Sequence, residues 1–203
     1  MTNNILFRLD WLSLMIYFLL IVFGIINIYS TTLSEATVSL FDLNSPAGKQ
    51  LLIFGFSLFF LPLILFINSI FFEHLSIVFY ILTILSLLGL FFFGQKISGA
   101  TSWYFLGGFS LQPSEFAKIT TSLLIATNLS SIQMDIKKKA SVVKLFIIIG
   151  LPMILVIFQP DAGSALVFLS LFFVLLREGM NVKTLYFGIG LLLIFILTLI
   201  FSP

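Results

Sequence analysis

The sequence has no cysteine, one histidine and few charged residues. Without cysteine, neither a disulfide framework nor a thiolate metal site can form. Charged residues make up 9% of the 203 positions, which is too few to cover the surface of a soluble domain of this length. The formal net charge is +2 and the cations are scattered, so the charge does not indicate nucleic acid as a partner and none is predicted.

Hydrophobic residues make up 60% of the chain, and 26 of them are Phe. Apolar runs of about 17–25 residues can cross a bilayer as helices, because lipid offers the backbone no other hydrogen-bond partner. The runs between polar breaks predict spans near residues 11–30, 50–70, 75–94, 113–130, 145–158, 162–176 and 184–201. The sequence therefore predicts an all-α, polytopic membrane helical bundle with about seven spans, forming a single integral membrane domain over residues 1–203.

The cations divide unequally between the two sets of loops that alternate spans would separate. One set holds seven Lys and Arg residues and the other holds two: Arg8, Lys137, Lys138, Lys139, Lys144, Arg177 and Lys183 against Lys49 and Lys96. The positive-inside rule places the larger set, and with it the N-terminus, in the cytoplasm. The loops at 31–49 and 95–111 then lie on the outer side, and the second is rich in Gly, Trp and Phe.

The predicted spans 145–158 and 162–176 are short for a pair. Together with their turn they occupy 32 residues, whereas two complete spans need about 20 residues each. The turn, FQPDAGS, is therefore expected at membrane depth, whether the pair crosses the bilayer or is re-entrant. This would bring Asp161 into the membrane.

Two predicted helices begin with a similar polar pattern, QPSE at residues 112–115 and QPD at residues 159–161. Proline suits the first helical position, and an acidic residue in the first turn is stabilised by the helix dipole. Simple helix-start signals would explain both patterns. However, Lys118 lies three residues after Glu115, close enough to pair with it, and ionisable groups in membrane spans usually face a cavity or a partner.

The longer stretches GATSWYFLGGFSLQPSEFAK (99–118) and QPDAGSALVF (159–168) resemble two signatures of the SEDS family, the shape, elongation, division and sporulation proteins. The first is more similar to the RodA branch than to the FtsW branch. The resemblance implies a peptidoglycan glycosyltransferase in the bacterial cytoplasmic membrane that polymerises lipid II for cell-wall elongation and rod shape. It also implies a class B penicillin-binding protein and membrane proteins of the elongation machinery as partners.

The resemblance further implies which side chains line a central cavity: Trp103, Gln112, Glu115, Lys118, Gln159 and Asp161. One position departs from the family pattern, since many members have Arg where this chain has Ser102. No cofactor is evident and no metal site is predicted, although two carboxylates leave room for a divalent cation. Family members have about ten spans, and their essential aspartate is expected beyond residue 203. These residues are therefore expected to be an N-terminal portion that is inactive alone.

Two other functions remain open at this point. Intramembrane Glu, Lys and Asp also suit a transporter or flippase that moves a lipid-linked precursor without polymerising it. A non-enzymatic membrane scaffold that positions a transpeptidase is the second alternative. Movement of labelled lipid between leaflets without polymer formation would favour the flippase.

Overall fold

The computed structural model describes residues 9–32, 45–97, 99–106, 109–131 and 134–184, together with residues 186, 188 and 190. Contacts divide the chain into two compact units, Met1–Asn68 and Ser69–Pro203. Each unit is described by itself below, and the single domain expected from the sequence stays a prediction.

The first unit contains two long apolar helices, α1 (Trp11–Thr32) and α2 (Pro46–Phe66). Helix α2 begins where the sequence provides a cap and a helix-compatible proline: the Ser45 hydroxyl accepts the N–H of Gly48 at 3.0 Å, and Pro46 takes the first helical position. The predicted start at residue 50 was therefore four residues late. The rings of Phe18 and Phe54 lie 5.8 Å apart between the two helices.

The described part of the second unit includes four long helices with a small sheet between the first two: α3 (Ser69–Phe93), α4 (Pro113–Ser130), α5 (Lys139–Phe158) and α6 (Ala162–Arg177). The α4 range agrees with the prediction. Helix α5 begins six residues earlier than predicted, because a stretch with two lysines was assigned to a loop although lysine is a good helix former. Residues 182–184, 186, 188 and 190 are also helical, and the rest of the predicted span 184–201 lies outside the described residues.

Four of the described helices are long and apolar enough to cross a membrane: α1, α2, α3 and α5. With 20 residues, α5 reaches the usual length of a span, which the sequence analysis did not expect. Helix α6 has 16 residues and remains short.

Residues of the predicted outer loop 95–111 form a three-stranded antiparallel sheet in the order β1 (Gln95–Ile97), β2 (Ala100–Leu106) and β3 (Phe109–Leu111). The sequence analysis assigned these residues to a loop and did not predict strands. The hydroxyl of Tyr104 donates to the carbonyl of Ser86 at 2.7 Å and fastens the sheet to α3. A Cβ atom at Gly89 would approach that hydroxyl to 2.5 Å, so only glycine allows this contact without a shift.

The core of the second unit lies between α3, α4, α5 and α6. Its fully buried side chains include Leu87, Leu145, Ile149, Phe168 and Leu175. Two polar contacts cross the same interfaces: the Tyr80 hydroxyl donates to the carbonyl of Ile148 at 3.0 Å, and the hydroxyls of Thr83 and Thr120 lie 2.8 Å apart. These contacts fix how α4 and α5 lie against α3, and so where their ends meet.

Candidate functional site

The starts of α4 and α6 meet through a hydrogen bond between their polar side chains. Gln112 precedes α4, and its Nε2 donates to Oδ2 of Asp161, which precedes α6, at 2.8 Å. Both side chains are half-buried. The two helix starts that share a Gln-Pro pattern in the sequence are therefore neighbours in space. A common site for Gln112 and Asp161 requires this proximity.

Two serines complete this polar cluster, and the sequence analysis did not single them out. The hydroxyl of Ser164 lies 3.4 Å from Nε2 of Gln112 and 3.4 Å from the hydroxyl of Ser114. Both serines are buried, and each lies in the first turn of its helix. Serine this close to a helix start is usually explained by capping, so the sequence alone gave no signal that the two would face each other.

The carboxylate of Asp161 is held on both oxygens. Oδ1 accepts the backbone N–H of Ser164 at 3.1 Å and caps α6, while Oδ2 accepts from Gln112. The positive end of the α6 dipole also favours a negative charge at this position. The side chain of Asp161 is therefore held in one orientation, which suits a positioning role better than a role that needs the side chain to move.

Glu115 and Lys118 form an ion pair on the surface of α4. Nζ of Lys118 lies 2.7 Å from Oε1 of Glu115, which confirms the pairing predicted from their spacing. The Glu115 side chain is 57% exposed and that of Lys118 is 22% exposed. Within the described hydrogen bonds this pair is separate from the Gln112–Asp161 cluster, so a chamber shared by all four side chains stays a prediction.

Gln159 lies in a different environment from Gln112. Its side chain is buried, with 1% exposed, and Nε2 donates to the backbone carbonyl of Leu87 on α3 at 2.8 Å. The backbone carbonyl of Gln159 accepts the N–H of Thr101 on β2 at 3.1 Å. These contacts join the end of α5 to α3 and to the sheet. They give Gln159 a structural role, and its assignment to the cavity stays a prediction.

Trp103 lies on β2, opposite Gln95 of β1, and is half-buried. Its neighbour Ser102 is 1% exposed, and within the described structure its hydroxyl has no hydrogen-bond partner. This is the position where many members of the resembled family have Arg. Serine is neutral, so in this chain another residue must supply any positive charge that the site needs.

The described residues do not form an evident metal centre. In the parts of the chain that the structure covers, no three His, Asp or Glu side chains come together. Glu115 and Asp161 would supply two carboxylates, and Mg²⁺ commonly binds one or two protein carboxylates together with water and phosphate oxygens. The participation of a divalent cation stays a prediction.

The model of the FtsW, RodA and SpoVE cell cycle protein family matches residues 10–203. The chain belongs to this family. The match confirms the family resemblance of the two signatures, and it makes the chain a multi-pass membrane protein of the FtsW/RodA type.

Curated relatives and a solved structure agree with this assignment. The chain is 33% identical over 197 residues to the probable peptidoglycan glycosyltransferase FtsW of Wigglesworthia glossinidia brevipalpis, covering 93% of this chain and 51% of that protein. It is 36% identical over 115 residues to the peptidoglycan glycosyltransferase RodA of Treponema pallidum, covering 54% and 25%. The chain thus spans about half the length of the FtsW relative, and its match to the RodA relative covers a quarter of that protein.

A solved chain from a study of polymerisation and crosslinking by a peptidoglycan synthase complex superposes with a TM-score of 0.74. It is 24% identical, and the match covers 93% of this chain and 53% of that chain. At this identity the likeness shows the fold alone. It confirms the predicted polytopic helical architecture.

Proposed function

We propose that this chain provides the membrane region of a RodA-type peptidoglycan glycosyltransferase that polymerises lipid II into glycan strands for cell-wall elongation. The observation that carries the proposal is the bond between Gln112 and Asp161, which unites the two family signatures at one place. Relatives named as peptidoglycan glycosyltransferases support the reaction class.

The proposed reaction joins a sugar hydroxyl to an anomeric carbon, and the bond between that carbon and a pyrophosphate breaks. A general base takes the hydroxyl proton, and cations stabilise the charge on the departing pyrophosphate. We assign the base to none of the described residues. Lys118 is the cation we assign to the pyrophosphate, with Glu115 orienting its ammonium group, and Asp161 positions the start of α6 beside that of α4.

The proposed partners are a class B penicillin-binding protein, which cross-links the strands, and membrane proteins of the elongation machinery. The similarity in fold to a chain of a peptidoglycan synthase complex supports an assembly of this kind. We also propose a location in the cytoplasmic membrane with the N-terminus inside, because the loops predicted from the sequence divide the cations seven against two between the two sides. Gln112 and Asp161 would then face the outer side, where glycan strands are made.

A lipid II polymerisation assay tests the proposal, using protein purified after expression of the whole gene. We expect Lys118→Gln to reduce glycan formation about 100–1000-fold, because removing one preorganised group that stabilises developing charge costs about that much. The matched control is Lys144→Gln, which removes the same charge from an exposed position on α5. Native polymerisation rates in Lys118→Gln and in Glu115→Gln would disprove the site assignment. Movement of labelled lipid between leaflets without any polymer would replace glycosyl transfer by the flippase function.

A further inference from the structure

A cavity lined by three lysines lies at the opposite end of α5 from Gln159. It has a volume of about 850 Å³ and lies between the start of α5 and the helical residues 182–184. Its polar lining includes Lys137, Lys139 and Lys183. In the described part of the chain, no carboxylate forms an ion pair with any of these lysines.

An apolar groove continues from this cavity along α5. The groove has a volume of about 460 Å³, and its walls include Phe146, Gly150 and Ile154. Val142, Val143 and Thr184 line both spaces, so the lysine cavity and the groove are adjacent. The combined space has a cationic end and an apolar body.

The charge around the cavity favours an anion. Residues 134–144 and 177–184 hold six cations, namely the three lining lysines with Lys138, Lys144 and Arg177, and two acids, Asp135 and Glu178. Oδ1 of Asp135 accepts the backbone N–H of Lys137 at 3.0 Å, so one of the two acids is hydrogen-bonded to the local backbone. The balance of charge in these segments is therefore +4.

The apolar groove distinguishes a lipid from a free anion. Inorganic phosphate would use the lysines but would make no contact with the groove, whereas the acyl chain of a phospholipid would pack against the apolar walls by van der Waals contact. Basic pockets between membrane helices commonly bind anionic lipid headgroups in this way. The walls of the groove are also accessible from outside the protein, since Val143 is 56% exposed and Ile147 is 59% exposed.

We propose that Lys137, Lys139 and Lys183 bind the phosphate headgroup of an anionic phospholipid whose acyl chain lies in the groove along α5. This site is distinct from the polar cluster of Gln112 and Asp161, and it does not depend on the proposed glycosyl transfer. The bound lipid would hold the start of α5 against the helical segment that follows Asn181.

The headgroup half is tested by native mass spectrometry of the complete protein in detergent with added dioleoyl-phosphatidylglycerol. Each lysine near a membrane surface contributes about fivefold in affinity, so Lys139→Gln/Lys183→Gln should weaken binding about 25-fold. The matched control, Lys49→Gln/Lys96→Gln, also removes two charges, but neither residue lines the cavity or the groove or belongs to the two basic segments. It should bind as the native protein does. Dioleoyl-phosphatidylcholine, which is zwitterionic, should bind about as weakly to the native protein as phosphatidylglycerol binds to the lysine variant.

The acyl half is tested by filling the groove. A Cβ atom at Gly150 meets no other atom within 4 Å, so Gly150→Leu should occupy the groove without disturbing α5. We expect at least a tenfold loss of phosphatidylglycerol binding. Gly55→Leu is the control, because the space around Gly55 is equally open and Gly55 is not one of the residues that line the groove.

The experiments on the headgroup and on the acyl chain together decide the proposal. Equal loss in both double-lysine variants would mean a diffuse surface charge and would overturn it. Loss in the lysine variant but native binding in Gly150→Leu would also overturn it, because the groove would then hold no acyl chain. Displacement of the lipid by inorganic phosphate at equal concentration would identify a free anion as the ligand instead.

Discussion

The starts of α4 and α6 share a Gln-Pro pattern but use it differently. At α6, Asp161 accepts the N–H of Ser164 and caps its own helix, whereas at α4 the side chain of Gln112 makes no cap and reaches to the other helix. The preceding elements explain the difference, since Gln112 follows a strand and Gln159 ends α5. The role of a short polar motif thus depends on the strand or helix that precedes it.

The acids of the two starts differ in the same way. The Asp161 carboxylate joins two helices, whereas Glu115 pairs with Lys118 within one helix. The start of α1 offers a third case: Asp10 accepts from the N–H and the hydroxyl of Ser13 at 3.2 and 2.6 Å. An acid near a helix start can therefore cap, bridge or pair, and its burial and neighbours decide which.

The largest expected effect is at Gln159. Gln159→Ala removes a buried bond to Leu87 and leaves a cavity, so we expect the free energy of unfolding to fall by about 2–4 kcal/mol. Gln159→Met should cost less, because it restores volume and removes an acceptor, Oε1, that has no partner in the described structure. Reversible unfolding in mixed micelles would measure both. Equal stability of Gln159→Ala and the native protein would contradict the structural role of this glutamine.

The bridge between the two starts should give the next largest effect. A double-mutant cycle of Gln112→Ala and Asp161→Ala should show a coupling free energy of about 1.5–3 kcal/mol, as for other hydrogen bonds to a charged group. Asp161→Asn should keep most of the stability, since Asn also caps helices and can accept from Gln112. Additive single substitutions would show that α4 and α6 are not joined at this point.

The Glu115–Lys118 pair should contribute little to stability. With Glu115 largely exposed, we expect a coupling free energy of about 0.2–0.5 kcal/mol from the same kind of cycle. This small effect sharpens the functional test, because a large loss of activity in Lys118→Gln could not then be attributed to unfolding. A coupling as large as that of the bridge would remove the distinction between the two helix starts.

The smallest effect concerns Asp10. Hydrogen bonds from the Ser13 side chain and backbone lower the pKa of Asp10 from its ordinary value of 3.8. Because the folded-state pKa is depressed, the stabilisation is complete above pH 3.8 and is lost as pH falls through the lower folded value. Ser13→Ala should move the pKa back toward 3.8, as measured by an NMR titration of the Asp10 carboxyl carbon. An unchanged pKa would show that the Ser13 hydroxyl does not hold this carboxylate.

Much of the helical arrangement could be predicted because apolar runs are a direct signal in a membrane protein. The α4 range came out correctly, since Pro113 marks its start and a polar stretch follows Ser130. The beginnings of α2 and α5 were placed late, because Lys49 and Lys144 were taken as loop residues although each lies inside a helix. The strands at 95–111 were missed because Gly and aromatic residues there suited an interfacial loop equally well.

The candidate site was only partly predictable for a related reason. Spacing along one helix predicted the Glu115–Lys118 pair, since residues three apart share a face. No such rule connects Gln112 to Asp161, which lies 49 positions further along the chain. For the same reason, neither the contacts of Ser164 nor the burial of Gln159 could be predicted, because both depend on which helices become neighbours.

The sequence by itself determined that this chain is a multi-span helical membrane protein of the FtsW/RodA family, because apolar run length and two signature motifs can be read along the chain. Only the tertiary structure decided that Gln112 and Asp161 meet, that Gln159 supports α5, and that three lysines surround one end of an apolar groove. The physical reason is that run length and capping are local properties of the chain. Contact between side chains dozens of residues apart depends on how the helices and the sheet pack in three dimensions.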